Sequence, residues 1–332
     1  MAIKLVVVGM DNTKGSHVRF LSFSRMVWLR SAVAGLIDFE PYDSTKTYDQ
    51  NTVFLILAGV YREVKDQFKD RRVIIDVCLE AKMPVWDELY DLKEPHHIIM
   101  YGSYSAKPEA DVIYVPNFFW YNESLQYITR GYQHYQPNRN YSKKFLMPIG
   151  RKVNWRDQVV KALDPYLDDA YWSYVRRGVA LPGEPPETAG AKRWDTRRQD
   201  PMWYDDTCFS MVLESITQWD HAVLFLTEKI FKPISHQHPF MVVGACGMLS
   251  YLKSQGFETF DNLFDESYDH EHDLETKMQI IQRNIETFEK HPYDPLTVDK
   301  LAHNKALFYN QSVIQQDIVE SFVTPIEKYI NS

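Results

Sequence analysis

The chain has 332 residues, 45% hydrophobic, with three cysteines and a formal net charge of −8. Its length and apolar content supply core for two domains of ordinary size and argue against a largely disordered chain. Cys78, Cys208 and Cys246 lie far apart without metal-ligand spacing, which argues against a disulfide framework or zinc site and suits a reducing, cytoplasmic setting.

MAIKLVVVGM reads as a first strand: it is too short to span a membrane and lacks a signal-peptide cleavage pattern. No later segment reaches spanning length. The sequons at Asn122, Asn140 and Asn310 therefore read as chance matches. A helix is expected over 17–36, strands over 52–60 and 71–77, and shorter strands over 83–86, 97–102 and 111–116. Unbroken apolar strands alternating with helices argue for a parallel sheet covered on both faces. A polar stretch over 132–144 leads to a further strand at 145–150 and a helix that Asn154 caps. Residues 178–206 are rich in Pro and Gly, then basic, then aromatic, and read as a long functional loop. Strands follow over 208–215 and 221–227, then a helix opening at Glu228, a strand over 238–245, and helices over 247–257, 274–290 and 312–330. The simplest architecture is α/β, with two halves joined near residue 145 and a cleft between them.

Thr227-Glu228-Lys229 stands where an apolar strand is expected to meet a helix. Helix N-termini offer unpaired N–H groups and partial positive charge, which suit phosphate. Lys229 adds a full charge there, and Lys232 adds another one turn along. Glu228 can accept from two vicinal hydroxyls, as a ribose presents. The ordinary reading stands beside this one: Glu and Lys are common in a first turn, where Glu favours the dipole by itself. No P-loop and no G-x-G-x-x-G follows a strand.

The segment F-L-T-E-K-I, preceded by F-S-M-V-L-E-S, resembles the donor-binding region of inverting α-1,3-fucosyltransferases, glycosyltransferase family 10. Glu214 and Ser215 match its first element without the usual Asn, and Thr227, Glu228 and Lys229 match its second. Arg156, with Arg151 behind it, matches the family's pyrophosphate-contacting arginine. The resemblance is best over 145–260 and closest to bacteriophage and bacterial members. It implies a GT-B fold of two Rossmann-like domains: 1–144 on the acceptor side, 145–311 binding the nucleotide sugar, and 312–332 as a helix packing back on the first. It further implies a UDP- or GDP-linked hexosyl or pentosyl donor, transfer with inversion, no cofactor, and no metal in the chemical step.

Inverting transfer needs a carboxylate to take the acceptor's proton and cations to meet charge on the departing diphosphate. Lys229 and Arg156 suit the second task, with Lys232 or Arg151 assisting. The resemblance implies a base at Asp87 or Glu88, in M-P-V-W-D-E-L, with Asp11 just after the first strand a rival on geometry alone; a solvated loop carboxylate is the ordinary state of each. Paired Asp205-Asp206 lacks the spacing of a metal-binding D-x-D motif, and His96-His97 and His236/His238 lack a third ligand. Arg193, Trp194, Arg197, Arg198 and Trp203 mix cations with aromatic faces, which suits a sugar acceptor or DNA with an extruded base. The resemblance to phage proteins makes 5-hydroxymethylpyrimidine in DNA a candidate, and the density of this basic cluster in an otherwise acidic chain slightly favours it over a surface glycan. A non-catalytic nucleotide-sugar or carbohydrate-binding module is the reading from another class.

Overall fold

The computed structural model describes residues 3–8, 35–77, 91–102, 104–105, 111–150, 153–183, 200–215 and 223–332. They fall into two compact units, one within Met1–Leu125, Ala222–Phe225 and Asn310–Ser332, the other within Gln126–His221 and Leu226–Tyr309.

The first unit is built on strands β1 (Ile3–Val8), β2 (Ile37–Pro41), β3 (Val53–Leu57), β4 (Arg72–Val77) and β5 (Ile98–Tyr101). A two-residue β6 (Tyr104–Ser105) and β7 (Val112–Tyr114) follow. Six of these form one sheet in the order β2-β1-β3-β4-β5-β7, parallel at every pairing. Runs such as VFLIL and RVIIDV carry β-branched residues without polar alternation, because helix-covered parallel strands are apolar on both faces. Val6, Phe54, Ile56, Val73, Ile75 and Ile99 make that core with Tyr61 and Phe68. The expected strand over 52–60 is shorter: the chain turns helical at Ala58 and continues to Val64.

His97, wholly buried, ties this core together. Its Nε2–H donates to the Phe68 carbonyl at 3.2 Å, which leaves Nδ1 to accept from the Tyr61 hydroxyl at 2.8 Å. Burial, with His96 beside it, lowers its pKa to about 4, so the ring is neutral. The chain's last residues belong to the same unit. The Val73 amide donates to the Tyr329 hydroxyl at 3.0 Å, and that hydroxyl donates to the His96 carbonyl at 2.9 Å. The helix expected over 312–330 is interrupted: Gln311–Ile318 and Thr324–Asn331 flank a π-helical turn, Val319–Val323.

The second unit has β8 (Lys143–Ile149), β9 (Ala170–Tyr174), β10 (Thr207–Leu213) and β12 (Phe240–Val243) in the order β12-β10-β8-β9. All pair in parallel. Phe145 and Phe209 stack at 5.8 Å, and Phe264 and Phe288 close on Phe209 at 5.1 Å each. Helix Asn154–Leu163 follows β8, and helix Glu228–Ser235 leads into β12.

The apolar run ahead of Thr227 departs from expectation. It forms only β11 (Val223–Leu224), which pairs antiparallel with β6 inside the first unit. A run of apolar letters does not state which sheet it will join.

Candidate functional site

In the second sheet the chain moves outward from β8 to β9, then returns to the far side of β8 to lay down β10 and β12. The order therefore reverses between β8 and β10. Beyond the carboxyl ends of such a pair, the two following segments diverge and leave a crevice, the usual ligand position of an open α/β sheet. Arg156 comes from the helix after β8, and Glu214 directly follows β10.

Arg156 is buried. Its Nη2 donates to the carbonyls of Leu213 and Glu214, at 3.2 and 3.0 Å, and its guanidinium lies 5.1 Å from the Trp155 ring centroid. It thus fastens the end of β10 to the helix after β8. The Glu214 side chain, with no exposed surface, turns to Thr227. One oxygen accepts from the Thr227 amide at 3.1 Å, and the other accepts from the Thr227 hydroxyl at 2.5 Å and from the Ser215 amide at 3.2 Å. Gly244, just past β12, makes room for this carboxylate. A Cβ there would overlap the Met248 sulfur and stand 3.2 Å from Glu214 Cβ.

Thr227 is the N-cap of helix Glu228–Ser235, its oxygen accepting from the Lys229 amide at 3.5 Å. The helix therefore starts level with the end of β10, although no strand of this sheet precedes it. The Lys229 ammonium donates to Ser215 Oγ, Thr227 Oγ1 and Glu228 Oε1, each at 2.9 Å. An ammonium has three donors, and here all three are engaged. The Lys229–Glu228 pair is still in contact with solvent, the side chains being 25% and 18% exposed.

Burial would raise the Glu228 carboxyl, but Lys229 and Lys232 outweigh it and hold the pKa near 2. For Glu214 burial wins: its carboxyl is raised, although Lys229 and the Thr227 hydrogen bonds pull it down. The corner holds the ammonium groups of Lys229 and Lys232 and the Arg156 guanidinium against two carboxylates. A partly exposed, net-positive helix start at a sheet's switch point is suited to an anion with more than one charge.

Of the residues singled out as donor-binding, Arg156, Glu214, Ser215, Thr227, Glu228 and Lys229 come together here, and Lys232 acts on Glu228 electrostatically. Glu214 and Arg156 are the backing of the corner, with the hydrogen bonds named above to other parts of the chain. Arg151, Asp11, Asp87, Glu88, Arg193, Trp194, Arg197 and Arg198 lie outside the described residues. Trp203 corrects its reading as an acceptor contact. It is a core side chain packed with Leu146, Leu181 and Tyr204, and its indole N–H donates to the Pro182 carbonyl at 3.0 Å. Arg177 pairs with Asp157 at 2.9 Å. His236 stacks on Tyr204 at 4.2 Å, and His238 contacts Ser210 Oγ and the Thr207 carbonyl at 2.8 and 2.9 Å. Among the described residues no group of three or more His, Cys, Asp or Glu could hold a metal ion, and no helix is long and apolar enough to cross a membrane. Gly244 and Trp155 were missed. Glycines just past a strand are the one signal that pointed to the former.

The fold has solved counterparts. A structure of an α1,3-fucosyltransferase with GDP-fucose superposes with a TM-score of 0.54, at 10% identity, covering 100% of this chain and 91% of the other. Two further α1,3-fucosyltransferase structures align at lower scores. One gives 0.44 at 10% identity over 94% and 91%, and the other, with GDP, gives 0.45 at 9% identity over 93% and 91%. No protein-family model matches the chain, and no curated protein matches it in sequence. The chain shares its fold with that first structure. It is α/β of the GT-B class, its two parallel sheets belonging to two Rossmann-like units.

Proposed function

We propose that this protein is a glycosyltransferase that takes a sugar from a nucleotide donor and passes it, with inversion, to an acceptor hydroxyl. The observation that carries this is the assembly at one switch point of Lys229, Glu228 and Thr227 on a helix start, braced by Arg156 and Glu214. The fold shared with a fucosyltransferase bound to GDP-fucose supports the same reading.

In this proposal the donor's diphosphate lies at the start of helix Glu228–Ser235. Lys229 and Lys232 meet the negative charge that grows on it as the sugar leaves. Glu228, ionised at every working pH, accepts from the ribose hydroxyls. Arg156 stiffens the end of β10 beneath them. The acceptor's proton goes to a carboxylate, and Asp87, Glu88 and Asp11 are the three to replace one at a time. The acceptor is a 5-hydroxymethylpyrimidine in DNA or a glycan hydroxyl; Arg193, Trp194, Arg197 and Arg198 are the residues through which either would be held. Duplex binding that weakens steeply with salt would support DNA.

The test is thermal unfolding of the full chain with GDP, UDP and their sugar conjugates, because a ligand that binds only the folded state raises Tm. At least one nucleoside diphosphate should raise Tm in the parent protein and not in Lys229→Ala. If none of the panel moves Tm, the proposal fails. If a nucleotide sugar binds and is never turned over with either acceptor, the chain is a binding module.

A further inference from the structure

Lys229 does not stand alone at the helix start. Its Nζ rests on Thr227 Oγ1, and that hydroxyl gives its own hydrogen to Glu214. The direction of the chain is fixed by chemistry. An ammonium only donates, and both Glu214 oxygens face donors, so the hydroxyl between them accepts from Lys229 and donates to Glu214. Glu214 also takes the Thr227 amide, so the threonine is held at both its backbone and side-chain ends. Glu214 in turn is fixed by the Ser215 amide, by the Arg156 guanidinium on its carbonyl, and by the absence of a side chain at Gly244.

We infer that Glu214 is a positioning residue. Without touching the ligand, it sets the Thr227 hydroxyl so that the Lys229 ammonium is aimed at the anion site. This rests on the proposed donor site for its purpose and on the hydrogen-bond chain for its mechanism. The two can be tested apart. A buried carboxylate bonded to three donors would serve stability alone if Lys229 were indifferent to it; the distances from Lys229 Nζ through Thr227 to Glu214 say otherwise.

The variants are Glu214→Gln, Thr227→Val and Thr227→Ser. Thr227→Val keeps the shape of the threonine and removes the relay oxygen; Thr227→Ser restores that oxygen. The first measurement needs no nucleotide. Trace acetylation with acetic anhydride, read by mass spectrometry, reports how available each lysine amine is, and Lys253, paired with Glu266 away from the corner, serves as the internal reference. Lys229 labelling relative to Lys253 should rise several-fold in Glu214→Gln and Thr227→Val and stay at the parent level in Thr227→Ser. Unchanged Lys229 labelling in a folded Thr227→Val protein overturns the inference, whatever becomes of Glu214→Gln. The second measurement is the Kd of the nucleoside diphosphate that stabilises the parent. It should weaken about tenfold in Glu214→Gln and Thr227→Val, the loss typical of a hydrogen bond to a charged group, and recover in Thr227→Ser. Weakening in Thr227→Ser equal to that in Thr227→Val would mean that packing, not the relay, is at work. If no nucleotide binds the parent, the proposed function falls, while the labelling result still decides the role of Glu214.

Discussion

Glu228 and Lys229 carry opposite charges 2.9 Å apart, and their replacements should differ in kind. If Glu228 meets the ribose as proposed, Glu228→Gln should weaken a nucleoside diphosphate about tenfold, as loss of a charge-assisted bond does. The matching 2′,3′-dideoxy diphosphate should bind both proteins alike, as titration calorimetry would reveal; equal losses for both ligands would remove the ribose role. The folded pKa near 2 lies below the ordinary 4.5. The pair's stabilisation is therefore present above pH 4.5 and lost only as pH falls towards 2, so nucleotide binding should not fade between pH 7 and 5 through Glu228. Trp203 belongs to a different category. Trp203→Ala should cost about 3–5 kcal/mol of stability by emptying a core site, visible as a lower urea midpoint. The Kd for nucleotide of the protein that remains folded should be unchanged.

At the scale of elements, helix Glu228–Ser235 depends on what lies before and beside it. Gly244→Ala would press a methyl group on Met248, whose flexible end can yield, and on Glu214 Cβ, which cannot retreat from its bonds. The expected outcome is a loss of about 1–3 kcal/mol in chemical denaturation, as overpacking gives, together with weaker nucleotide binding. Stability lost with binding intact would mean that the loop after β12 does not brace the corner. Most strands of both sheets were legible because buried parallel strands are unbroken apolar runs, VFLIL and FMVV among them; the edge strands β2 and β9, IDFEP and AYWSY, carry polar letters and were not read. That Glu214, Ser215, Thr227, Glu228 and Lys229 come together was legible because they form two short motifs whose side chains bond one another. What failed was non-local. β11 reads like any strand but joins the other unit, and Trp203 reads like a stacking platform but packs on residues far along the chain. Helix Pro295–Phe308 escaped because exposed Leu296 and Val298 blur its apolar stripe, although Asp294 before Pro295 is a helix-start signal.

Over the whole molecule, both units hold neutral histidines. Burial lowers His97 to about 4 and His236 to about 3, and takes His238 well below its ordinary 6.5. A depressed histidine leaves stability intact above 6.5 and removes it as pH falls towards the folded value, because the unfolded chain takes up the proton first. At pH 5 each should cost about 2 kcal/mol relative to pH 7. Glu214 and Asp317, whose carboxyls burial raises, pull the other way, but three histidines outnumber them. Urea unfolding should accordingly show a lower midpoint at pH 5 than at pH 7; an equal or higher midpoint would contradict the buried neutral rings. The distribution of charge bears on the acceptor as well. A chain of net charge −8 that bound duplex DNA would have to do so through a local patch, and replacing Arg193, Arg197 and Arg198 by Ala should then flatten the salt dependence.

The saturated ammonium of Lys229 has a consequence for selectivity. In the proposed donor site an incoming anion finds that lysine already neutralised by Glu228 and must break an existing bond to form a new one, so a guest with one small charge exchanges like for like. A guest that spans Lys229 and Lys232 together gains what a single phosphoryl group does not. Nucleoside monophosphates and inorganic sulfate should therefore be poor competitors of the matching diphosphate, and the corner should discriminate by the length of the phosphate chain before it discriminates by base.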